Sequence, residues 1–84
     1  MKWTVAWRRS ARNQLASMWV DADFRAEMTE AANRIDYLLA NNPLGVGESR
    51  DRDRYILIEG PLAVLFKIKS AEHKVVVTRV WRTT

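Results

Sequence analysis

Residues that could hold a phosphate gather in two stretches. The first is GESRDRDRYILIEGPLAVLFKI, where Arg50, Arg52 and Arg54 alternate with Asp51 and Asp53. If the backbone is extended there, the three arginines point one way and the two aspartates the other. Three aligned arginines beside Glu48 suit a phosphate site. Self-pairing with the aspartates instead makes the run a solvated hairpin entrance, the commoner role of a surface charge run. The second stretch is LFKIK followed by KVVVTRVWR. Lys67 and Lys69 share one side of a strand, with Val64, Phe66 and Ile68 on the other. Lys67, Lys69 and either Arg79 or Lys74 with Arg82 would build a basic sheet face that binds phosphates by charge and counterion release. The same charges would also keep an open sheet soluble and unpaired with its neighbours.

Other chemistries find little support. The chain has no cysteine and a single histidine, so thiolate chemistry is excluded, and no metal or other cofactor is expected. His73 reads as a turn residue without ligand partners. GVG at Gly45 to Gly47 lacks the lysine and the strand–loop–helix setting of a phosphate loop. Ser10 and Ser17 have no nearby histidine, so a hydrolase triad is unsupported.

The aromatic residues divide by position. Trp19 falls on an apolar helical stripe and is expected in the core. Trp3 and Trp7 share a strand face and are expected to cover the helix layer. Trp81 shares a face with Arg79. On an open face it would stack on a base or fill a partner's pocket. On the other face it is core and Arg82 lies outside; the core position is the favoured one.

The charge is also uneven. Net charge is +4 over 84 residues. Lys2, Arg8, Arg9 and Arg12 precede the first acid, Lys67, Lys69, Lys74, Arg79 and Arg82 end the chain, and the middle is net acidic. One positive side would attract nucleic acid or an acidic protein. The length fits one domain, 1–84. The start is too short and polar for a secretory signal, and no apolar run is long enough to span a membrane, so a soluble cytoplasmic protein without membrane contact is expected.

These residues need elements to position them. KWTVAWR alternates and reads as a strand. Ser10 is a suitable N-cap for a helix with Ala11, Leu15, Met18, Trp19 and Ala22 on one stripe. A second helix starts at Asp21 or Asp23, carries Phe24, Met28, Ala31, Ile35, Leu38 and Leu39, and stops at Asn41-Asn42-Pro43. Gly45 and Gly47 predict a loop. RYILIE, a Gly60-Pro61 turn, LAVLFKIK, a second turn at SAEH and KVVVTRVWR predict three strands. The order β-α-α-β-β-β predicts an α+β fold of two layers, with two helices on one face of a mainly antiparallel four-stranded sheet.

The sequence resembles the RelE/ParE-like superfamily of toxins from bacterial type II toxin–antitoxin modules. The resemblance rests on RRSARNQLASMWVDA, on ANRIDYLLANNPLGVGESR and on GPLAVLFKI with KVVVTRVWR, and it covers nearly the whole chain. It implies a small α/β fold and an antitoxin whose tail wraps the toxin. One branch of the superfamily cuts mRNA on the ribosome; another inhibits DNA gyrase. The resemblance therefore implies a ribosome-dependent endoribonuclease, or a gyrase-directed toxin or inactive relative. A small basic binding module is the third reading.

In ribonuclease members a glutamate after the second helix serves as base, and Glu48 matches that place. By the same resemblance, Arg50, Arg54 and Lys67 correspond to the phosphate-holding cations. Lys69 and Trp81 join them as substrate-binding residues. Where those enzymes carry an arginine at the start of the strand after the turn, this sequence has Leu62 and Ala63. Where they carry a His, Tyr or Arg in a short tail, it ends at Thr84. Arg79 and Arg82 are the substitutes for those catalytic groups. Cleavage of this type needs a base on the 2′-hydroxyl, a cation for the phosphate and an acid for the leaving oxygen.

Overall fold

A computed structural model describes residues 2–21, 23 and 25–83. Ala22, Phe24 and Thr84, which figure in the expectations above, lie outside the described residues.

The alternating N-terminal segment forms strand β1 (Thr4–Trp7), with Val5 and Trp7 packed on the core. Helix α1 (Arg9–Asp21) follows at once. Arg8 N–H still pairs with Val77 O at 2.9 Å, while Arg12 N–H already donates to Arg8 O at 2.9 Å. Ser10 is therefore inside the first turn rather than its cap, because strand pairing hands over directly to the helix.

Ala11 is fully buried, and Leu15 and Met18 pack against the core. Trp19 does not follow them and is 43% exposed. At 3.6 residues per turn, Ala11, Leu15 and Met18 fall within an arc of about 60°, and Trp19 lies about 80° from Ala11. It is held at the margin of the stripe instead. Its indole N–H donates to Thr29 Oγ1 at 3.2 Å, and the Arg25 guanidinium sits 4.8 Å from its ring centre. Arg25 also donates to Trp19 O (2.9 Å) and Val20 O (2.8 Å), satisfying carbonyls at the end of α1.

Helix α2 (Arg25–Asn41) buries Met28, Ala31, Ile35 and Leu39, one stripe at helical spacing. It stops at Asn41 as the Asn-Asn-Pro signal predicts. The next segment is not a loop throughout: Pro43–Val46 makes one helical turn, α3, with buried Pro43 in the first position where its fixed φ suits a helix.

Four more strands complete the sheet: β2 (Glu48–Ser49), β3 (Arg54–Glu59), β4 (Leu62–Lys69) and β5 (Lys74–Arg82). Their order is β1-β5-β4-β3-β2, so among the described residues the sheet has five strands rather than the expected four. The additional strand is only two residues long, too short to show alternation. The β2–β3, β3–β4 and β4–β5 pairs are antiparallel, and β1 runs parallel to β5 with Val5 opposite Val75. The turn between β3 and β4 uses Gly60 at φ 58° followed by Pro61, the positive-then-negative pattern that suits a tight hairpin. The turn before β5 is a short 3-10 segment, Ser70–Glu72, closed by His73 at φ 53°. The His73 ring stacks on Trp3 at 4.1 Å.

Both helices lie on one side of the sheet. The core joins their stripes to Leu57, Leu62, Val64, Phe66, Val75, Val77 and Val80. Trp7 ties β1 to this layer, its indole N–H donating to Asp36 Oδ1 of α2 at 2.7 Å. Among the described residues no helix is long and apolar enough to cross a membrane.

Candidate nucleic-acid interface

The face of the sheet away from the helices is where the cations gather. Strict alternation along β5 would put Lys74 and Arg79 on opposite faces, since they are an odd number of residues apart. The register is instead interrupted between Leu65 and Phe66: Phe66 pairs with Val77, and Leu65 with Arg79. Thr78 is the extra residue of a bulge, and its hydroxyl donates to Leu65 O at 3.1 Å. The buried positions Val75, Val77 and Val80 record the same break. Lys74 and Arg79 therefore share the bare face, and the choice between them posed by alternation disappears.

Cross-strand partners lie on the same face, so the register gives the layout. One row runs Glu48, Ile56, Leu65, Arg79. The next runs Arg54, Lys67, Val76, Ala6. Lys69, Lys74 and Thr4 form a third at one end, and Ile58, Ala63 and Trp81 a fourth at the other. The result is a cationic half and an apolar half on one surface, with Glu48 at its margin. With strands about 4.8 Å apart, the backbones of Glu48 and Arg79 are about 14 Å apart, so they can address neighbouring parts of a ligand rather than one atom. Arg54 is the diagonal neighbour of Glu48 at about 7–8 Å, and Lys67 lies beside Arg54.

The arginine run does not form an extended row. The chain bends at Asp51–Asp53, and the N–H groups of Arg50 and Asp51 both donate to Arg54 O, at 2.9 and 3.2 Å. Arg52 sits in the bend, its N–H on Asp51 Oδ1 at 2.9 Å. Arg50 is brought next to Arg54 at the end of the basic half, while Arg52 belongs to the loop. The run is thus mainly a hairpin entrance, with Arg50 and Arg54 its members nearest the sheet face.

Two expectations about the last strand need correction. Trp81 is not core: it pairs with Ala63 on the bare face and is 38% exposed, because the bulge reverses the parity set by the valines. Arg82 pairs with Leu62 on the helix side of the sheet, in the row of Glu59, whose carboxylate binds Arg34 Nε at 2.7 Å. Arg82 is therefore not brought together with Glu48, Arg50 and Arg79. Leu62 and Ala63, where an arginine was wanted, are both buried against their neighbours.

Hollows among the described residues lie near these features. A small cleft of about 170 Å³ at Val46, Glu48, Ile56 and Ile58 flanks the glutamate. A groove of about 510 Å³ runs between α1 and α2, lined by Trp7, Leu15, Ala16, Trp19, Val20 and Ala32 among others. A cleft of about 480 Å³ separates α1 from the last residues of β5. The groove and this cleft escape sequence reading because their walls come from distant segments. Among the described residues no three acidic or histidine side chains converge as a metal site.

The architecture is that of the RelE and ParE toxins. The chain superposes on the RelBE2 toxin–antitoxin complex of Mycobacterium tuberculosis with a TM-score of 0.80 and 22% identity, covering 98% of this chain and 99% of that one. It superposes on the chromosomal ParDE system of P. aeruginosa with a TM-score of 0.72 and 17% identity, over 98% and 97% of the two chains. The archaeal RelE–RelB complex of Pyrococcus horikoshii gives 0.70 and 13%, over 98% and 96%. At these identities the likeness establishes the fold. No family model and no curated protein matches the sequence.

Proposed function

We propose that this protein is the toxin of a toxin–antitoxin pair, and that its bare sheet face takes the RNA that it cuts on the ribosome. The observation that carries this reading is the gathering of Arg54, Lys67, Lys69, Lys74 and Arg79 on one face with Glu48 at its margin. A scissile phosphate beside Arg54 and Lys67 would lie within reach of Glu48. The carboxylate takes the proton of the 2′-hydroxyl, and that oxygen attacks the neighbouring phosphorus. The bond to the 5′-oxygen breaks, leaving a 2′,3′-cyclic phosphate, and the departing oxygen takes a proton from water. Arg54 and Lys67 offset the charge that builds on the phosphoryl oxygens, and Arg79 holds an adjacent phosphate.

The test is mRNA integrity in a translating extract. Cleavage is expected with the wild type, with loss on Glu48→Gln and a large drop on Arg79→Ala. Arg82→Ala, on the other face, should cut normally. Intact mRNA with wild-type protein overturns the nuclease reading.

A second reading is favoured by the exposed Ile58 and Trp81 at the apolar end of the face and by the absence of an arginine at Leu62 and Ala63. There the same face binds a protein such as DNA gyrase. Growth arrest with intact mRNA and copurified gyrase would support it.

The antitoxin has its own place in this proposal. Three of the similar structures are complexes of toxin and antitoxin. The groove between α1 and α2 would accept the apolar face of a partner helix, and Arg12 on its wall, with Arg8 and Arg9 close by in sequence, favours an acidic one.

A further inference from the structure

The cleft between α1 and the end of β5 is built differently from the α1–α2 groove. Among the described residues β1 pairs with β5 from Lys74 to Val77, and no strand lies beside the edge of β5 beyond that point. Gln14 of α1 fills the gap at one position: Val80 N–H donates to its Oε1 at 3.1 Å. That bond fixes the carboxamide, because only its oxygen can accept. It also occupies an edge N–H that an added strand would need. The cleft is lined by Asn13, Gln14, Ser17, Met18, Arg79, Val80 and Trp81. Its walls thus hold an exposed indole, a guanidinium, and amide and hydroxyl groups able both to donate and to accept.

We propose that this cleft is a nucleobase pocket. It would take an unstacked base of the single-stranded RNA whose phosphates lie on the adjoining basic face. The proposal rests on the RNA-binding reading and names a further subsite for it. Trp81 supplies a π-face for stacking. Asn13, Ser17 and the Gln14 NH₂ group address the base edge, and Arg79 holds the phosphate where the strand passes from the sheet face into the cleft. Single-stranded RNA is read in this way, by stacking on aromatic side chains and hydrogen bonds to exposed edges. A volume of about 480 Å³ is ample for one base.

The experiment measures binding of a fluorescein-labelled, short single-stranded RNA of mixed sequence, and of the same ribose-phosphate chain without bases. Trp81→Ala is expected to weaken the intact RNA on the order of tenfold and to leave the abasic chain unchanged. The double variant Asn13→Ala/Ser17→Ala should weaken the intact RNA alone, and Trp81→Phe should recover most of the affinity. Lys69→Ala should weaken both RNAs alike. These side chains are at the surface, and circular dichroism verifies that the variants are folded. If intact RNA binds Trp81→Ala as well as wild type while Lys69→Ala still weakens it, the pocket is overturned and the basic face stands. If wild type binds neither RNA, the pocket is overturned, while the nuclease reading is decided by mRNA integrity in the translating extract. If Trp81→Ala loses only its affinity for an antitoxin peptide, the cleft belongs to a protein partner and the proposal is overturned.

Discussion

Lys74 and Arg79 project from the same face of β5 although they are separated by an odd number of residues. The bulge at Thr78 makes this possible, and it links the cationic ends of two rows that simple alternation would separate. Deleting Thr78 should therefore leave Val77 and Arg79 as consecutive partners of Phe66 and Leu65, with Arg79 and Trp81 still on the bare face and Val80 still in the core. The deletion variant should fold and bind RNA, losing about 1 kcal/mol with the hydrogen bond from the Thr78 hydroxyl to Leu65 O. A deletion variant that is unfolded by circular dichroism, or folded with its RNA affinity lost, would contradict the placement of the extra residue at Thr78.

The basic face should reveal itself through salt. Each of Lys67→Ala, Lys69→Ala, Lys74→Ala and Arg79→Ala should reduce the slope of log affinity for single-stranded RNA against log salt by up to about 0.7. Arg34→Ala, on the helix side, should leave the slope unchanged. Filter binding across a salt series measures this.

Arg34 and Glu59 make an ion pair at 2.7 Å with side chains 48% and 27% exposed. At that exposure solvent screens most of the attraction. Glu59→Gln should change unfolding free energy by less than about 1 kcal/mol, as read from urea denaturation.

Gly47 is held by contact rather than by a special φ. A Cβ there would meet Phe66 Cζ at 2.6 Å and Tyr55 Cβ at 3.2 Å. Phe66 is fully buried and has little room to retreat. Gly47→Ala should cost about 1–3 kcal/mol by overpacking and displace neighbouring Glu48. Adding Phe66→Leu should return part of the stability, since it removes the clashing ring.

The indole of Trp7 and the carboxylate of Asp36 close one end of the α1–α2 groove. Asp36→Ala should lower stability by about 1 kcal/mol and shift the tryptophan emission, both measurable in one fluorescence-monitored denaturation.

Much of the fold was legible because its signals are local. The stripe Met28, Ala31, Ile35, Leu39, the turn at Gly60-Pro61 and the division of Lys67 and Lys69 from Phe66 and Ile68 follow from periodicity and from residues with restricted or unusual φ. The order of strands and helices followed from them, as did the two-layer class. Trp19 was misplaced because a residue at the margin of a helical stripe packs or not according to what lies opposite.

The tertiary structure decided the rest. The parallel pairing of β1 with β5 is a contact between chain ends, and nothing local specifies it. Strand β2 exists because β3 offers it an edge. The bulge at Thr78 arises from pairing with Leu65 and Phe66, and it moved Trp81 from the expected core to the bare face and Arg82 from the expected outside to the helix side. The sequence alone thus determined which residues could bind a phosphate. The packing of helices against one face, and a single extra residue in the last strand, decided which of them meet, because a side chain's face depends on its partners as well as its position in the chain.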